Sequence, residues 1–186
     1  MFRFSVLTPA ALAAVLTLAV PAAWSAAPGD TPQPSKSVDL RRLAGRWYEL
    51  ARVPNQAEKD CPVATTDWAP KDGGKFEVTQ TCRKSLDATG GRVIKATADP
   101  LDPVMNAKWR MNYFGGLIRR DYWFIDHAND DAWVILAMPG KKYLWVLTRH
   151  PDLPSGAREA VVQRVASLGY DASRLVFPLA TAVRGG

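Results

Sequence analysis

The residues of this sequence that could do chemistry are few: two cysteines, two histidines and one carboxylate in an apolar stretch. They are Cys61, Cys82, His127, His150 and Glu49. The chain has no Gly-x-Ser-x-Gly motif, no Walker loop and no dinucleotide-binding glycine pattern. Each histidine could ligate a metal or a haem, but an isolated histidine near a turn is more often part of a polar surface. We therefore predict no catalytic residue, no metal site and no cofactor.

The two cysteines are spaced for a disulfide bond. Cys61 opens one apolar run and Cys82 closes the next, with the turn sequence 71–74 between them. If the chain reverses between Lys71 and Asp72, the two cysteines are directly opposed, with α-carbons about 4.5–5.5 Å apart. A reversal one residue later makes them near neighbours instead. Residues 1–27 have the pattern of a secretory signal peptide, and two cysteines in an exported protein are usually oxidised, so we predict a Cys61–Cys82 disulfide.

Glu49 lies in the stretch 45–52, which has the pattern of a first strand after a glycine turn. Trp47, Glu49 and Ala51 share one face of this strand. Trp47 either fills the narrow end of a barrel or packs in an ordinary strand core. A carboxylate turned inward must be hydrogen-bonded or hydrated, so we expect Glu49 to pair with a cation or a tyrosine. A general-base role stays open, although the sequence places no second acid or base beside it.

The elements that position these residues are short strands. The body of the chain breaks into about eight apolar-rich runs, at 47–53, 62–69, 75–82, 92–98, 107–114, 121–127, 132–138 and 142–149. Turn residues separate the runs, and the connections are too short for crossover helices, so consecutive strands should be antiparallel neighbours. We predict an all-β fold with one α-helix, an eight-stranded antiparallel up-and-down β-barrel with a lumen. An open two-sheet sandwich is the structural alternative.

One strong helical pattern follows the strands, from Pro154 to Leu168, with Ser155 as candidate N-cap and Gly169 as its stop. Its apolar stripe comprises Ala157, Val161, Val162, Val165 and Leu168. The last three strand runs are apolar on both faces, so we expect this helix to cover their outer face. The run 175–177 is predicted to add a short edge strand.

The chain ends have a different composition from the body. Residues 1–27 have the pattern of a secretory signal peptide, and 28–37 form a Pro-rich leader that we expect to be flexible. A barrel domain over 38–180, in which Val38, Leu40 and Leu43 plug one end, and a loose tail over 181–186 complete the predicted organisation. The formal net charge of +6 comes from scattered side chains, which is typical of a solubilising face. It does not favour nucleic-acid binding, and it leaves peripheral contact with an anionic envelope surface open.

Three motifs in order make most of residues 38–178 resemble the lipocalins, specifically their bacterial branch. They are Gly45-x-Trp47-Tyr48-Glu49, then Asp121-Tyr122, then the run from Tyr143 to Arg149 that is followed by His150-Pro151. The resemblance implies that Gly45, Trp47 and Arg149 are structural, with Arg149 lying across Trp47 at the closed end. Many close bacterial members of that family are outer-membrane lipoproteins with a cysteine at the cleavage site, and none lies there in this chain. We therefore expect a protein free in the periplasm or secreted.

The resemblance also implies a carrier of one fatty acid, lysophospholipid or similar amphiphile, with its tail in the lumen and its acidic head outside. The run 107–113 alternates, so Trp109, Met111 and Tyr113 are predicted to line the lumen. We add Glu49 to this set, together with four aromatic residues that face either the lumen or the helix: Tyr122, Phe124, Tyr143 and Trp145. A solid aromatic core, an isomerase using Cys82, and a haem or pigment carrier are the alternatives.

Overall fold

The computed structural model describes residues 30–152 and 156–178, in which eight antiparallel strands pair in sequence order and close into a barrel. The strands are β1 (Gly45–Arg52), β2 (Val63–Lys71), β3 (Lys75–Arg83), β4 (Arg92–Pro100), β5 (Lys108–Tyr113), β6 (Ile118–His127), β7 (Trp133–Ala137) and β8 (Leu144–Thr148). The α-helices of the described residues are α1 (Leu40–Leu43) and α2 (Ala157–Ser167), and four short 3-10 helices lie in the connections and after α2. β8 pairs with β1, so the sheet has no free edge, and the predicted barrel is confirmed.

The end of the barrel where β1 begins is closed. Val38 and Leu43 are buried against the interior there, and Trp47 Nε1 donates a hydrogen bond to the Leu43 carbonyl at 2.9 Å. The guanidinium of Arg149 lies 3.6 Å from the centroid of the Trp47 ring, as the lipocalin resemblance implies. Gly45 begins β1 with a φ of +94°, a backbone conformation that favours glycine.

Inside the barrel, the half next to this closed end is filled by aromatic rings. Trp68, Phe76, Trp109 and Phe124 form one cluster, with neighbouring ring centroids 5.5–6.0 Å apart. Trp68, Trp109 and Phe124 come from three different strands, and each is at most 2% exposed. Because the alternation of a strand places every second side chain inside, a few large rings are enough to fill this half.

A second apolar core lies outside the barrel, under α2. Val161 and Val165 of the helix are buried in a cluster with outward side chains of the sheet such as Ile135 and Val146. The predicted outer helix is therefore confirmed, and Gly169, with a φ of +78°, follows its last turn. The helix is described from Ala157, with Gly156 as N-cap, and the proposed cap Ser155 lies outside the described residues.

Residues 30–37 differ from the flexible leader that composition suggested. Thr31 is buried, donates a hydrogen bond to the Met138 carbonyl and accepts one from the Lys141 amide, each at 3.0 Å. Lys36 Nζ lies 2.9 Å from the buried carboxylate of Asp126. A proline-rich composition predicts that a segment forms neither helix nor sheet. It does not predict whether individual polar side chains of that segment bind to the rest of the protein.

Near the C-terminal end of the described residues, the predicted edge strand 175–177 is reduced to one antiparallel bridge between Val176 and Arg52. The predicted signal peptide, 1–27, and the predicted loose tail, 181–186, lie outside the described residues.

Candidate ligand cavity

The end of the barrel opposite Trp47 opens into a cavity of about 200 Å³. This open end is formed by the connections 53–62, 84–91, 114–117 and 138–143. Six strands and the first of these connections contribute its main lining side chains, which are Glu58, Ala64, Thr66, Gln80, Cys82, Ile94, Tyr113, Tyr122 and Trp145. The wall is therefore mixed, with aromatic and aliphatic surface interrupted by polar groups.

Two tyrosines form one side of this cavity. The Tyr113 hydroxyl donates to Gln80 Oε1 at 3.3 Å and lies 3.4 Å from the Tyr122 hydroxyl. Burial raises the pKa of Tyr113 and that of Tyr122 above the usual phenol value, so both phenols keep their protons at neutral pH. The pair therefore presents neutral hydroxyl groups, held in place by Gln80, to whatever enters.

An ionic cluster of Glu49, Arg52 and Glu58 lies beside the cavity, with Glu58 in the cavity wall and Glu49 at the gap beneath it, and a β-bulge brings Glu49 and Arg52 together. In the pairing of β1 with β8, Glu49 is opposite Leu147 and Arg52 is opposite Trp145, with the register shifting between Glu49 and Ala51. Two residues an odd number apart would normally point to opposite faces, but the extra residue of the bulge turns both inward. Arg52 donates to the carboxylate of Glu49, and both are almost completely buried. The expectation that Glu49 pairs with a cation is confirmed.

Glu58 completes this cluster from the β1–β2 connection. Its carboxylate accepts a hydrogen bond from Trp145 Nε1 at 2.8 Å, and the Asn55 amide also donates to it. Burial raises the pKa of Glu49 well above its usual value, the nearby Glu58 raises it further, and Arg52 opposes both. Arg52 donates to the Glu49 carboxylate and to the backbone carbonyl of Glu58, while burial and the nearby Glu58 carboxylate favour a neutral Glu49.

Below the cavity the interior narrows to a gap of about 30 Å³. Glu49, Met111 and Leu147 border this gap, and Trp68 of the aromatic cluster also lines it. The space available to a ligand is therefore confined to the open half of the barrel.

The predicted lining residues separate into three groups. Tyr113, Tyr122 and Trp145 line the cavity, while Met111 and Glu49 line only the small gap beneath it. Trp109 and Phe124 point inward but are packed into the aromatic cluster.

Tyr143 precedes β8 at the rim, with its ring centroid 6.2 Å from that of Trp145, and it lines a groove outside the lumen. Alternation assigned Trp109, Met111 and Tyr113 to the inner face but did not give their depth along the barrel, and it left the face of Tyr122, Phe124, Tyr143 and Trp145 open.

Several lining residues were not predicted from the sequence. Thr66 and Gln80 pair with each other across β2 and β3, two residues from the inward side chains of Trp68 and Val78. Alternation from those apolar neighbours was the signal that could have found them. Glu58 lies in a connection, where no periodicity exists to reveal it.

The disulfide Cys61–Cys82 is formed, with a Cα–Cα distance of 5.6 Å. Of the two arrangements considered, direct opposition is not the one observed, because Cys82 pairs with Ala64 and Cys61 lies before the start of β2. The hairpin turns later than assumed, and the cysteines are the near neighbours that such a turn predicts. The bond ties the connection that carries Glu58 to β3 at the mouth of the cavity.

The remaining chemistry-bearing residues lie away from the cavity. His127 Nδ1 is 2.8 Å from the Ala128 carbonyl and Nε2 is 3.1 Å from the Ser37 carbonyl. Within 30–152 and 156–178, no three His, Cys, Asp or Glu side chains cluster as metal ligands would. No helix in the described part of the chain has the length and apolar character needed to cross a bilayer.

A closed antiparallel barrel with an arginine-capped tryptophan at one end and a cavity at the other defines a class of β-barrel binding proteins. The family model of the lipocalin-like domain matches residues 38–180. The chain belongs to the lipocalin family, whose members are generally carriers of small hydrophobic ligands.

Relatives occur in bacteria and in eukaryotes. The outer membrane lipoprotein Blc of Citrobacter freundii is 24% identical over 86% of this chain and 92% of its own length. Apolipoprotein D of Bos taurus is 27% identical over 68% of this chain and 69% of its own. Among solved structures, insecticyanin of the tobacco hornworm Manduca sexta is similar in fold, with a TM-score of 0.61, 19% identity, and coverage of 78% of this chain and 82% of that one.

Proposed function

We propose that this protein is an exported carrier of a small single-chain amphiphile, a fatty acid or lysophospholipid, whose apolar end occupies the open half of the barrel. The observation that carries the proposal is the cavity itself, which combines Ile94, Tyr122 and Trp145 surface with an opening to solvent. Its volume of about 200 Å³ is below the ~300–1,000 Å³ common for drug-sized ligands. Only the end of a long acyl chain fits inside, and the rest of the ligand lies in the mouth.

The ionic cluster sets the orientation of such a ligand. A carboxylate or phosphate entering head first would approach the Glu58 carboxylate, and like charges in a weakly solvated site repel strongly. At the mouth an anionic head is attracted instead of repelled, because the exposed Arg92 borders the cavity there. The ligand therefore enters tail first, with its anionic head at Arg92.

The alternative functions have less support. The isomerase hypothesis needs a thiolate at Cys82, and this sulfur is bonded to Cys61. The haem or pigment hypothesis needs a larger cavity or an inward ligand, and both nitrogens of His127 contact backbone carbonyls. An exported location, periplasmic or secreted, accords with the disulfide and with relatives that are named outer membrane lipoproteins.

Filling the cavity tests the proposal. Ala64 lies in β2, faces the cavity and is 8% exposed, so Ala64→Phe should occupy the space that the acyl chain needs. Ala69→Phe, on the same strand at an exposed position, adds the same ring outside and is the matched control. Titration with dodecanoate, followed by tryptophan fluorescence because Trp145 lines the cavity, should show binding to the unmodified protein and to Ala69→Phe. Ala64→Phe should lower the affinity at least about tenfold.

Native mass spectrometry with lipid extraction is the complementary measurement. The purified protein should release a fatty acid or lysophospholipid. Equal dodecanoate affinity in both phenylalanine variants, or no binding of any single-chain amphiphile, would refute the proposal.

A further inference from the structure

Exposed apolar side chains surround the mouth of the cavity, and of the five described below Phe114 also borders its interior. Leu117, in the connection between β5 and β6, is 89% exposed, and its neighbours Phe114 and Ile118 are 62% and 41% exposed. Val93 at the start of β4 and Leu86 in the connection before it are 52% and 41% exposed, at the same end of the barrel. Large apolar side chains grouped in this way mark an interaction surface. We call these five residues the apolar rim.

The backbone holds part of this rim away from the barrel. Phe114, Gly115 and Gly116 have φ values of 52°, 68° and 93°, so the β5–β6 connection is a tight turn with Leu117 at its end. A left-handed φ is uncommon for a bulky residue such as phenylalanine. The turn therefore projects apolar side chains into solvent at a conformational cost, a combination that points to a function for the projection.

Basic side chains flank the apolar rim. Arg92, Arg119 and Arg120 are exposed, and within the described residues none of the three has a carboxylate within ion-pairing distance. Exposed Lys59 and Lys84 lie in the connections at the same end, where the acidic residues are Glu58, Asp60 and Asp87.

The closed end has a different charge distribution. There Arg42 pairs with Asp131 and Arg46 with Asp67, so much of the basic charge is neutralised locally. At the cavity mouth Lys59 lies 3.9 Å from Asp60, but Arg92, Arg119 and Arg120 keep positive charge that no described carboxylate pairs with.

We propose that the open end of the barrel docks on an anionic lipid surface. In this arrangement Leu117, Phe114 and Ile118 enter the interfacial region while the neighbouring arginines contact anionic headgroups. A projecting apolar turn with cations beside it suits a deformable, negatively charged surface. A second copy of this chain is a poor occupant, because its own rim would bring like charges together. Docking in this orientation places the cavity mouth against the membrane, so that an amphiphile can pass between bilayer and lumen without crossing bulk water.

Vesicle binding tests the proposal, with test substitutions at the open end of the barrel and control substitutions at its closed end. Protein is purified from cells that express the full chain, so every variant is processed in the same way. It is then sedimented with vesicles of phosphatidylcholine, with or without phosphatidylglycerol, at low and high salt. We expect binding to the phosphatidylglycerol vesicles, weakened by salt because exposed charges are screened.

Two matched pairs of variants locate the contact. Leu117→Ser should weaken vesicle binding about tenfold, since one largely exposed leucine loses its partition into the interface. Val104→Ser, at an 86% exposed position in the β4–β5 connection of the closed end, should leave it unchanged. R119Q/R120Q should weaken binding more than tenfold, and R41Q/K71Q, which removes the same charge from the closed end, should not.

The outcomes separate docking from ligand binding. Leu117→Ser should bind dodecanoate in free solution as the unmodified protein does, because Leu117 does not line the cavity. Absent vesicle binding, equal losses at the two ends, or binding that is independent of phosphatidylglycerol would overturn the docking proposal and leave the carrier proposal intact. Loss of dodecanoate binding in Ala64→Phe bears only on the carrier.

Discussion

Glu49→Gln removes one titratable group from the wall of the barrel while preserving the size of the side chain. In the folded protein, burial raises the pKa of Glu49 and the Glu58 carboxylate raises it further, against the opposing effect of Arg52. In the unfolded chain the same carboxyl returns to its usual value near 4.5. Above that pH the folded state therefore holds a proton that the unfolded state has lost.

The sign and size of the effect follow from linkage. A raised folded pKa stabilises the fold fully below the unfolded value, and the contribution is lost as the pH rises towards the folded value. One proton changes the free energy of unfolding by up to about 1.4 kcal/mol per pH unit within that window. The unmodified protein should accordingly lose stability, relative to Glu49→Gln, as the pH rises from mildly acidic to neutral.

Urea unfolding at a series of pH values measures this difference, provided that the slopes against denaturant stay equal. Glu77→Gln, the same substitution at a partly exposed carboxylate of β3, is the control. A difference between the unmodified protein and Glu49→Gln that is independent of pH would refute the reasoning. A difference that changes in the opposite direction would show that the Arg52 ion pair outweighs burial.

Three further substitutions test the elements that close and support the barrel, each by chemical denaturation. Arg149→Met should destabilise the protein by about 2–3 kcal/mol, because it removes the guanidinium over Trp47 and hydrogen bonds to the carbonyls of Ala44 and Arg46; a loss below the error of the measurement would show that the pair contributes nothing. C61S/C82S should lower the free energy of unfolding by about 3 kcal/mol. Reductant should lower the free energy of unfolding of the parent protein by a similar amount and should leave that of C61S/C82S unchanged. Val165→Ala, at a fully buried position of α2, should cost about 2 kcal/mol, and Val162→Ala beside it markedly less; equal losses would contradict the packing of Val165 on the sheet.

The class of fold could be predicted because its signals are local. Short apolar runs with tight separators imply consecutive antiparallel strands, and strands that are apolar on both faces imply a cover, which α2 supplies. The lipocalin resemblance implied the Arg149–Trp47 contact. The disulfide partners followed from there being two cysteines in one hairpin, although the assumed register was off by more than a residue.

The candidate site was predicted less completely, because the sequence does not show how far along the barrel axis each inward side chain lies. Period-two alternation assigns a side chain to the inner or outer face, but it does not say whether that side chain fills the barrel or lines a space within it. Trp109 and Tyr113 share one strand and one face, yet Trp109 lies in the packed half and Tyr113 at the cavity. Trp109 is closer to the closed end, where rings from other strands pack against it, and Tyr113 is farther from that end, where the cavity begins.

The set of strands, their order and the pairing of the cysteines could be read from the sequence alone, since these depend on spacing along one or two neighbouring segments. The size of the cavity, the joining of Glu49, Arg52 and Glu58 into one cluster, and the docking of residues 30–37 emerge only in the folded chain. A bulge reversed the face of Arg52, and a connection without periodicity supplied Glu58. These features arise where segments that are distant in sequence meet, and the physics of close packing and charge burial acts on the assembled neighbours.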